Sequence, residues 1–189
     1  VAFGAKRAAP AVSLGTLLVA SQLADLIWPV LVVAGVERVS VSPGATVVTP
    51  LDFVYYPYSH SLVATIIWAL VFGIVYAVLR RASTAAGLTL GAVVASHWLL
   101  DFISHRPDVP LAFGTSARVG LGLWNSLPAT LLVEGGLFAA GVFLYVRSTR
   151  PKDRIGVWSL WSLVVFLLVV YAANLFGPPP PNGEAAAWS

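Results

Sequence analysis

The feature that most limits what this chain can fold into is a series of apolar runs about twenty residues long. Each run is long enough for a helix to cross the roughly 30 Å hydrocarbon core of a bilayer. Hydrophobic residues make up 58% of the chain and charged residues only 10%, whereas about a quarter of a soluble domain is charged. We therefore predict an all-α fold, a polytopic transmembrane helix bundle that forms a single domain over residues 1–189. The predicted spans are residues 12–35, 59–79, 85–104, 126–145 and 156–176.

The longest connection, residues 36–59, lies between the first two predicted spans. It is more polar than the runs that flank it, and Val39, Ser40 and Val41 alternate in character before Pro43 and Gly44. Alternation followed by a Pro-Gly pair predicts a short hairpin. The chain begins at Val1 instead of methionine, which is compatible with truncation at either end.

The distribution of basic residues predicts the orientation of the bundle. Short cytoplasmic loops are enriched in lysine and arginine. One side carries Lys6, Arg7, Arg80, Arg81, Arg147, Arg150, Lys152 and Arg154, and the other carries Arg38, Arg106 and Arg118. The N-terminus is therefore expected to be cytoplasmic and the hairpin extracytoplasmic. Because the basic residues flank the spans, the net charge of +3 does not indicate nucleic-acid binding.

The third predicted span carries an unusual polar stripe. His97, Asp101 and His105 follow one another at intervals of four residues, so a helix places them on one face. Ionisable groups inside a membrane are costly and usually face a bundle interior or an aqueous cavity. An imidazole and a carboxylate at this spacing suit a helix-borne metal site. The alternative is a structural pair in which Asp101 only orients or neutralises a buried His97.

The predicted topology brings further ionisable residues to the same half of the bundle. Asp25 lies midway along the first span, which Pro29 is predicted to bend. His60 begins the second span, and Glu134 lies about two turns into the fourth. A shared polar cavity explains this placement, since isolated ionisable groups would each be penalised in lipid. The alternative is a set of separate pairings, such as Asp25 with Ser21 and Gln22, or Glu134 with Asn125.

These residues are suited to metal chemistry. Asp25, His60, His97 and Asp101 form a set of two imidazoles and two carboxylates, suited to zinc or to a harder ion such as manganese. The chain has no cysteine, which excludes thiolate ligands. A bound metal would lower the pKa of a water molecule, and we predict that Glu134 or His105 then transfers the proton. A purely structural or interfacial role remains open for His60 and for His105.

Three segments carry a resemblance to a known family. Residues 20–29, which contain Asp25, residues 56–62, which contain His60, and residues 96–101, which contain His97 and Asp101, resemble the YdjM-like group. These are bacterial inner-membrane proteins described as membrane-bound, metal-dependent hydrolases, and they are distantly similar to zinc-dependent phospholipase C. The resemblance implies that these four residues are the metal ligands. The family usually has a further histidine near its start, and no histidine precedes Asp25 here.

Two classes of function are compatible with these residues and segments. The first is a metal-dependent hydrolase of the bacterial inner membrane, acting on a phosphoester or lipid-like substrate. The second is a non-enzymatic subunit of a membrane protein complex, with the polar cluster as a structural core. Membrane lipids are the expected partners, together with other membrane protein subunits in the second case. Small residues such as Gly87 with Gly91, and Gly136 with Ala140, would allow close helix contacts within or between chains.

Overall fold

The fold of the chain is a bundle of membrane-length helices with a small cap of strands and short helices. The computed structural model describes residues 1–114 and 116–187. The helices are α1 (Ala2–Ala5), α2 (Leu14–Ser21), α3 (Leu23–Val33), α4 (Pro57–His60), α5 (Leu62–Leu79), α6 (Thr84–Ser104), α7 (Leu127–Ser148), α8 (Arg154–Phe176) and α9 (Gly183–Ala187). The strands are β1 (Arg38–Val41), β2 (Leu51–Tyr55), β3 (Val109–Pro110) and β4 (Arg118–Val119), and a 3₁₀ turn covers Leu123–Asn125.

The predicted fold class is confirmed. Within the described residues, the helices α5, α6, α7 and α8 are each long and apolar enough to cross a membrane. The bent pair α2 and α3 passes the same test when taken together, which gives up to five spans. Hydrophobic run length is therefore sufficient to locate the spans of this chain.

The first span differs from the prediction because it is broken. Helices α2 and α3 meet at Gln22 with a bend of 51°. The sequence predicted a bend at Pro29, but Pro29 lies inside α3. The break makes the Ser21 carbonyl available to a partner on another helix, and His97 is that partner.

The second predicted span is also divided. The short helix α4 ends at His60, and α5 begins only at Leu62. Ser61 between them has extended backbone angles, and its side chain accepts a hydrogen bond from the Ala64 N–H, as an N-cap serine does. His60 therefore lies on a separate turn in front of the span instead of on its first turn.

Helices α5 and α6 pack closely because glycines face each other. A Cβ atom added to Gly73 would lie 2.6 Å from the carbonyl oxygen of Gly87, and one added to Gly91 would lie 3.1 Å from that of Ala69. The predicted close contact of Gly87 and Gly91 thus occurs inside the chain. Gly136, in contrast, has no atom of residues 1–114 or 116–187 within 4 Å of an added Cβ, outside its own helix backbone and its chain neighbours.

The cap lies at the end of the bundle where α3 finishes and α4 begins. Strands β1 and β2 form the predicted antiparallel hairpin, and β3 and β4 form a second antiparallel ribbon. The guanidinium of Arg118 joins the two by donating to the carbonyl of Val54 at 2.8 Å. Helix α9 packs against α3 and β1, where Ala187 contacts Trp28 and Tyr56. The cap therefore fixes the segments that lead into and out of α4.

Candidate metal centre

Four side chains from three helices converge beneath the cap. Asp25 comes from α3, His60 from α4, and His97 and Asp101 from α6. The His97 Nε2 atom lies 3.5 Å from Asp25 Oδ1 and 3.4 Å from Asp101 Oδ2. The His60 Nε2 atom lies 3.3 Å and 4.0 Å from the same two oxygens. One ligand atom each of Asp25, His60 and His97 lies within 4.8 Å of the other two, so this group could hold a metal ion.

The hydrogen bonds of the two imidazoles indicate which ring nitrogen is free. His97 Nδ1 lies 3.0 Å from the carbonyl oxygen of Ser21. Because a carbonyl oxygen only accepts, Nδ1 must carry the proton, and the lone pair of the neutral ring is on Nε2. His60 Nδ1 lies 2.7 Å from Ser59 Oγ, and its Nε2 also faces the cluster. Histidine ligands are typically oriented in this way by a partner on the other nitrogen.

Two atoms of the cluster have no hydrogen-bond partner among the described residues. His97 Nε2 and Asp101 Oδ2 are both buried and unpaired. They lie 3.4 Å apart but are not aligned for a hydrogen bond. A buried unsatisfied polar atom costs about 1–3 kcal/mol, and the carboxylate of Asp25 adds further negative charge. The convergence of electron-rich atoms is favourable only with a cation among them, either a metal ion or added protons, so the residues fit a metal.

The cluster is closed on most sides and open at Asp25. The side chains of His60, His97 and Asp101 are 6%, 12% and 13% exposed, whereas that of Asp25 is 45% exposed. The exposed amide of Gln22 donates to Asp25 Oδ2 at 3.2 Å. Any ligand of the centre therefore approaches past Asp25 and Gln22.

Sequence reasoning missed Glu37, a buried carboxylate next to the cluster. Glu37 is 1% exposed and accepts hydrogen bonds from the backbone N–H groups of Tyr58 and Ser59 and from the Ser59 hydroxyl. The sequence contained one indication of it. Tyr56 stands at the N-cap of α4 and its side chain makes no capping hydrogen bond, so the first N–H groups of this helix need an acceptor from another segment. Helix N-termini need acceptors, but the sequence does not say which acid supplies one.

The structure does not bring His105 into the cluster. Helix α6 ends at Ser104, and His105 has extended backbone angles of −71° and 152°, so the stripe of four-residue steps stops at Asp101. His105 Nδ1 donates to Asp108 Oδ1 at 3.1 Å. The ring packs 4.5 Å from that of Trp124, measured between centroids. His105 belongs to a separate network under the cap.

The Glu134 carboxylate is also bonded outside the cluster. It accepts hydrogen bonds from Trp124 Nε1 at 2.9 Å and from the Tyr171 hydroxyl at 2.8 Å. These bonds link the 3₁₀ turn, α7 and α8. The expected pairing of Asp25 with Gln22 is present, whereas Glu134 bonds with Trp124 instead of Asn125.

Asp108 lies in a network of ionisable side chains outside the membrane spans. Burial alone would raise the pKa of Asp108, but hydrogen bonds and charge from His105 and Arg106 outweigh it and hold that pKa below its ordinary value. Burial and the nearby Asp108 carboxylate raise the pKa of Tyr56, whose hydroxyl donates to Asp108 at 3.4 Å. Arg106 also pairs with Asp52.

Acid should therefore weaken the cap through Asp108. Because its folded-state pKa lies below the unfolded value of about 3.9, the stabilisation is fully present above that pH and is lost as pH falls through the folded-state pKa. We expect Asp108→Asn to lower the free energy of unfolding by about 1–3 kcal/mol at neutral pH. The loss should shrink as the pH approaches 3. Thermal melts of both proteins in detergent between pH 3 and 7 measure this, and a loss independent of pH would contradict the assignment.

Comparison of the chain with family models, curated proteins and solved structures found no match. The geometry and chemistry of the centre are therefore the basis for inferring its function.

Proposed function

We propose that this chain is a metal-dependent hydrolase of the bacterial inner membrane, with its N-terminus in the cytoplasm. In this proposal Asp25, His60, His97 and Asp101 hold one divalent ion, zinc, and the substrate is a phosphoester or a lipid-like molecule. Membership of the YdjM-like group belongs to the same proposal. The cluster of two imidazoles and two carboxylates beneath the cap is the observation that carries it.

The spacing of the four ligand atoms supports zinc. In a tetrahedral zinc site with bonds of about 2.0–2.2 Å, ligand atoms lie roughly 3.3–3.6 Å apart. Here the four separations between an imidazole nitrogen and a carboxylate oxygen are 3.3, 3.4, 3.5 and 4.0 Å, and the group whose ligand atoms all lie within 4.8 Å of one another comprises Asp25, His60 and His97 without Asp101. An octahedral site with oxygen ligands at a similar bond length brings neighbouring ligands closer, to about 3 Å. Nitrogen and oxygen donors without thiolate also agree with zinc.

The residues around the cluster would serve hydrolysis in distinct ways. A zinc ion bound here supplies a polarised substrate oxygen and a water molecule of lowered pKa. The hydrogen bond from His97 Nδ1 to the Ser21 carbonyl leaves the Nε2 lone pair of His97 facing the cluster, and His60 Nε2 faces it 3.3 Å from Asp25 Oδ1. Asp25 Oδ2 accepts a hydrogen bond from the exposed Gln22 amide, and because the Asp25 side chain is 45% exposed it can take up a proton from an incoming molecule.

The position of the cluster supports a substrate held at the membrane surface. Asp101 lies one turn from the end of α6, and His60 precedes the first turn of α5. The reacting group would therefore lie near the boundary of the hydrocarbon core. A lipid whose phosphoester bond is at that depth reaches the open side at Asp25 without leaving the bilayer.

Turnover by the zinc-loaded protein tests this function. Purified protein in lipid nanodiscs is given a phospholipid, a lipid monophosphate and a soluble aryl phosphate ester, and the released products are quantified. His60→Ala should reduce the rate by about 100-fold or more, since it removes a ligand of the metal. Asp153→Asn is the matched control, because Asp153 caps α8 through the Gly156 N–H and asparagine caps equally well. If the wild type binds zinc stoichiometrically but His60→Ala and Asp153→Asn turn over substrate at the same rate, hydrolysis at this centre is excluded. The remaining function is then that of a non-enzymatic subunit.

A further inference from the structure

His60 and His97 are oriented in the cluster by different hydrogen-bond partners on their Nδ1 atoms. The Nδ1 atom of His97 donates to a backbone carbonyl, that of Ser21, and no side-chain substitution can change that acceptor. The Nδ1 atom of His60 faces the Ser59 hydroxyl, which can either donate or accept. The tautomer of His60 therefore depends on what else the Ser59 hydroxyl does.

Glu37 determines the direction of the Ser59 hydroxyl. Glu37 Oε2 lies 2.6 Å from Ser59 Oγ. An ionised carboxylate has no proton to give, so the single hydroxyl proton of Ser59 must point to Glu37. Ser59 Oγ then has only lone pairs to offer His60 Nδ1 at 2.7 Å. His60 must therefore carry a proton on Nδ1, which leaves Nε2, 3.3 Å from Asp25 Oδ1, as the atom that binds an ion once any proton it donates to that carboxylate is displaced.

Glu37 is itself held firmly in this position. Its other oxygen, Oε1, accepts the backbone N–H groups of Tyr58 at 2.7 Å and Ser59 at 3.0 Å. Its own backbone N–H donates to the carbonyl of Leu31 at the end of α3. The side chain is 1% exposed, so water does not compete for these bonds.

We infer that Glu37 is a positioning residue for the metal centre: through Ser59 it selects the one tautomer of His60 that can bind an ion. This inference rests on the proposed metal function, and it adds a third carboxylate that acts without touching the metal. Outer hydrogen-bond partners of this kind typically change metal affinity by about 10–100-fold.

The substitution Glu37→Gln reverses the chain of hydrogen bonds while preserving its shape. The new side-chain oxygen is expected to keep accepting the two backbone N–H groups, because the amide NH₂ cannot. The NH₂ group then faces Ser59 and donates to Oγ. Because Ser59 is fully buried, its hydroxyl proton then needs His60 Nδ1 as its acceptor, and the ring proton moves to Nε2.

Nitrogen-15 NMR of the metal-free protein reads the tautomer directly. The chain has 3 histidines, so a histidine-labelled sample gives a simple spectrum. In the wild type we expect a protonated His60 Nδ1, and in Glu37→Gln an unprotonated Nδ1 with the ring proton on Nε2, with His97 unchanged as the internal control. Zinc affinity, measured against a chromophoric chelator, should fall about 10–100-fold while the melting temperature stays close to that of the wild type.

Ser59→Ala provides a second, independent variant. It removes the relay but leaves both backbone hydrogen bonds of Glu37 in place, so it keeps the test open if Glu37→Gln does not fold. We expect a loss of zinc affinity and a mixture of His60 tautomers. An unchanged His60 tautomer in Glu37→Gln, or a changed tautomer with unchanged zinc affinity, would overturn the inference. A wild type that binds no zinc would instead refute the proposed function, and the metal-free spectra would still decide the role of Glu37.

Discussion

Replacing His97 with alanine is expected to remove zinc from the protein. The wild type should retain about one ion per chain after dialysis against a weak chelator, and His97→Ala should lower the affinity by roughly 100-fold or more. His97 Nε2 lies within 3.5 Å of both Asp25 Oδ1 and Asp101 Oδ2. Its loss therefore removes one ligand and leaves the two carboxylates of the cluster with one imidazole, that of His60, instead of two.

His105→Ala is the matched control for this experiment. It changes the same residue type at the end of the same helix, but the His105 ring is bonded to Asp108 and packed on Trp124. The metal content, measured by mass spectrometry on folded material, should remain near that of the wild type. Equal losses in both variants would contradict the assignment of His97 and would restore His105 as part of the centre. Negligible metal in the wild type would refute the metal function.

Replacing Gly120 with alanine is expected to disrupt the connection between α6 and α7. A Cβ atom at Gly120 would collide with the backbone carbonyl groups of His105 and Arg106. The segment cannot easily retreat, because the Leu121 N–H donates to Phe102 O at 2.7 Å and the Gly122 N–H donates to His105 O at 2.6 Å. Accommodating the methyl group therefore requires that these hydrogen bonds break or that the end of α6 shifts. We expect a loss of about 3 kcal/mol or more in the free energy of unfolding.

Gly15→Ala is the control for the effect of an added methyl group. Gly15 lies in α2, and the nearest atom to its added Cβ is Ser13 Oγ at 3.9 Å, which is ordinary contact. Alanine should be neutral there or stabilise the helix by up to about 1 kcal/mol. Thermal unfolding in detergent, followed by size-exclusion chromatography, compares the two variants. Equal melting temperatures would show that the Gly120 segment has more freedom than its contacts indicate.

The sequence alone located the membrane spans and the hairpin. A helix in lipid must satisfy its own backbone and be about 30 Å long, so the length of an apolar run is enough to find α5, α6, α7 and α8. The alternation of Val39, Ser40 and Val41 located β1 in the same way. These predictions depend only on short stretches of sequence. The hydrocarbon core requires the same minimum length of every span.

The pair His97 and Asp101 was also within reach of the sequence, because four-residue spacing on one helix needs no knowledge of its neighbours. The meeting of this pair with Asp25 and His60 followed from the order of the spans and from the resemblance of three segments to a family. The structure brings these four side chains together, and their role as ligands stays a prediction. The proton-transfer roles of Glu134 and His105 also stay predictions, though the hydrogen bonds of both residues lie in other networks.

Only the tertiary structure decided how the cluster is supported. The break at Gln22 presents the Ser21 carbonyl to His97, the end of α6 turns His105 away from Asp101, and Glu37 reaches the start of α4 across 22 positions of sequence. Each depends on where a helix stops and how it is rotated against its neighbour. Those quantities are set by packing between distant segments, whereas hydrophobic length and local spacing determine only that the helices exist and which of their residues share a face.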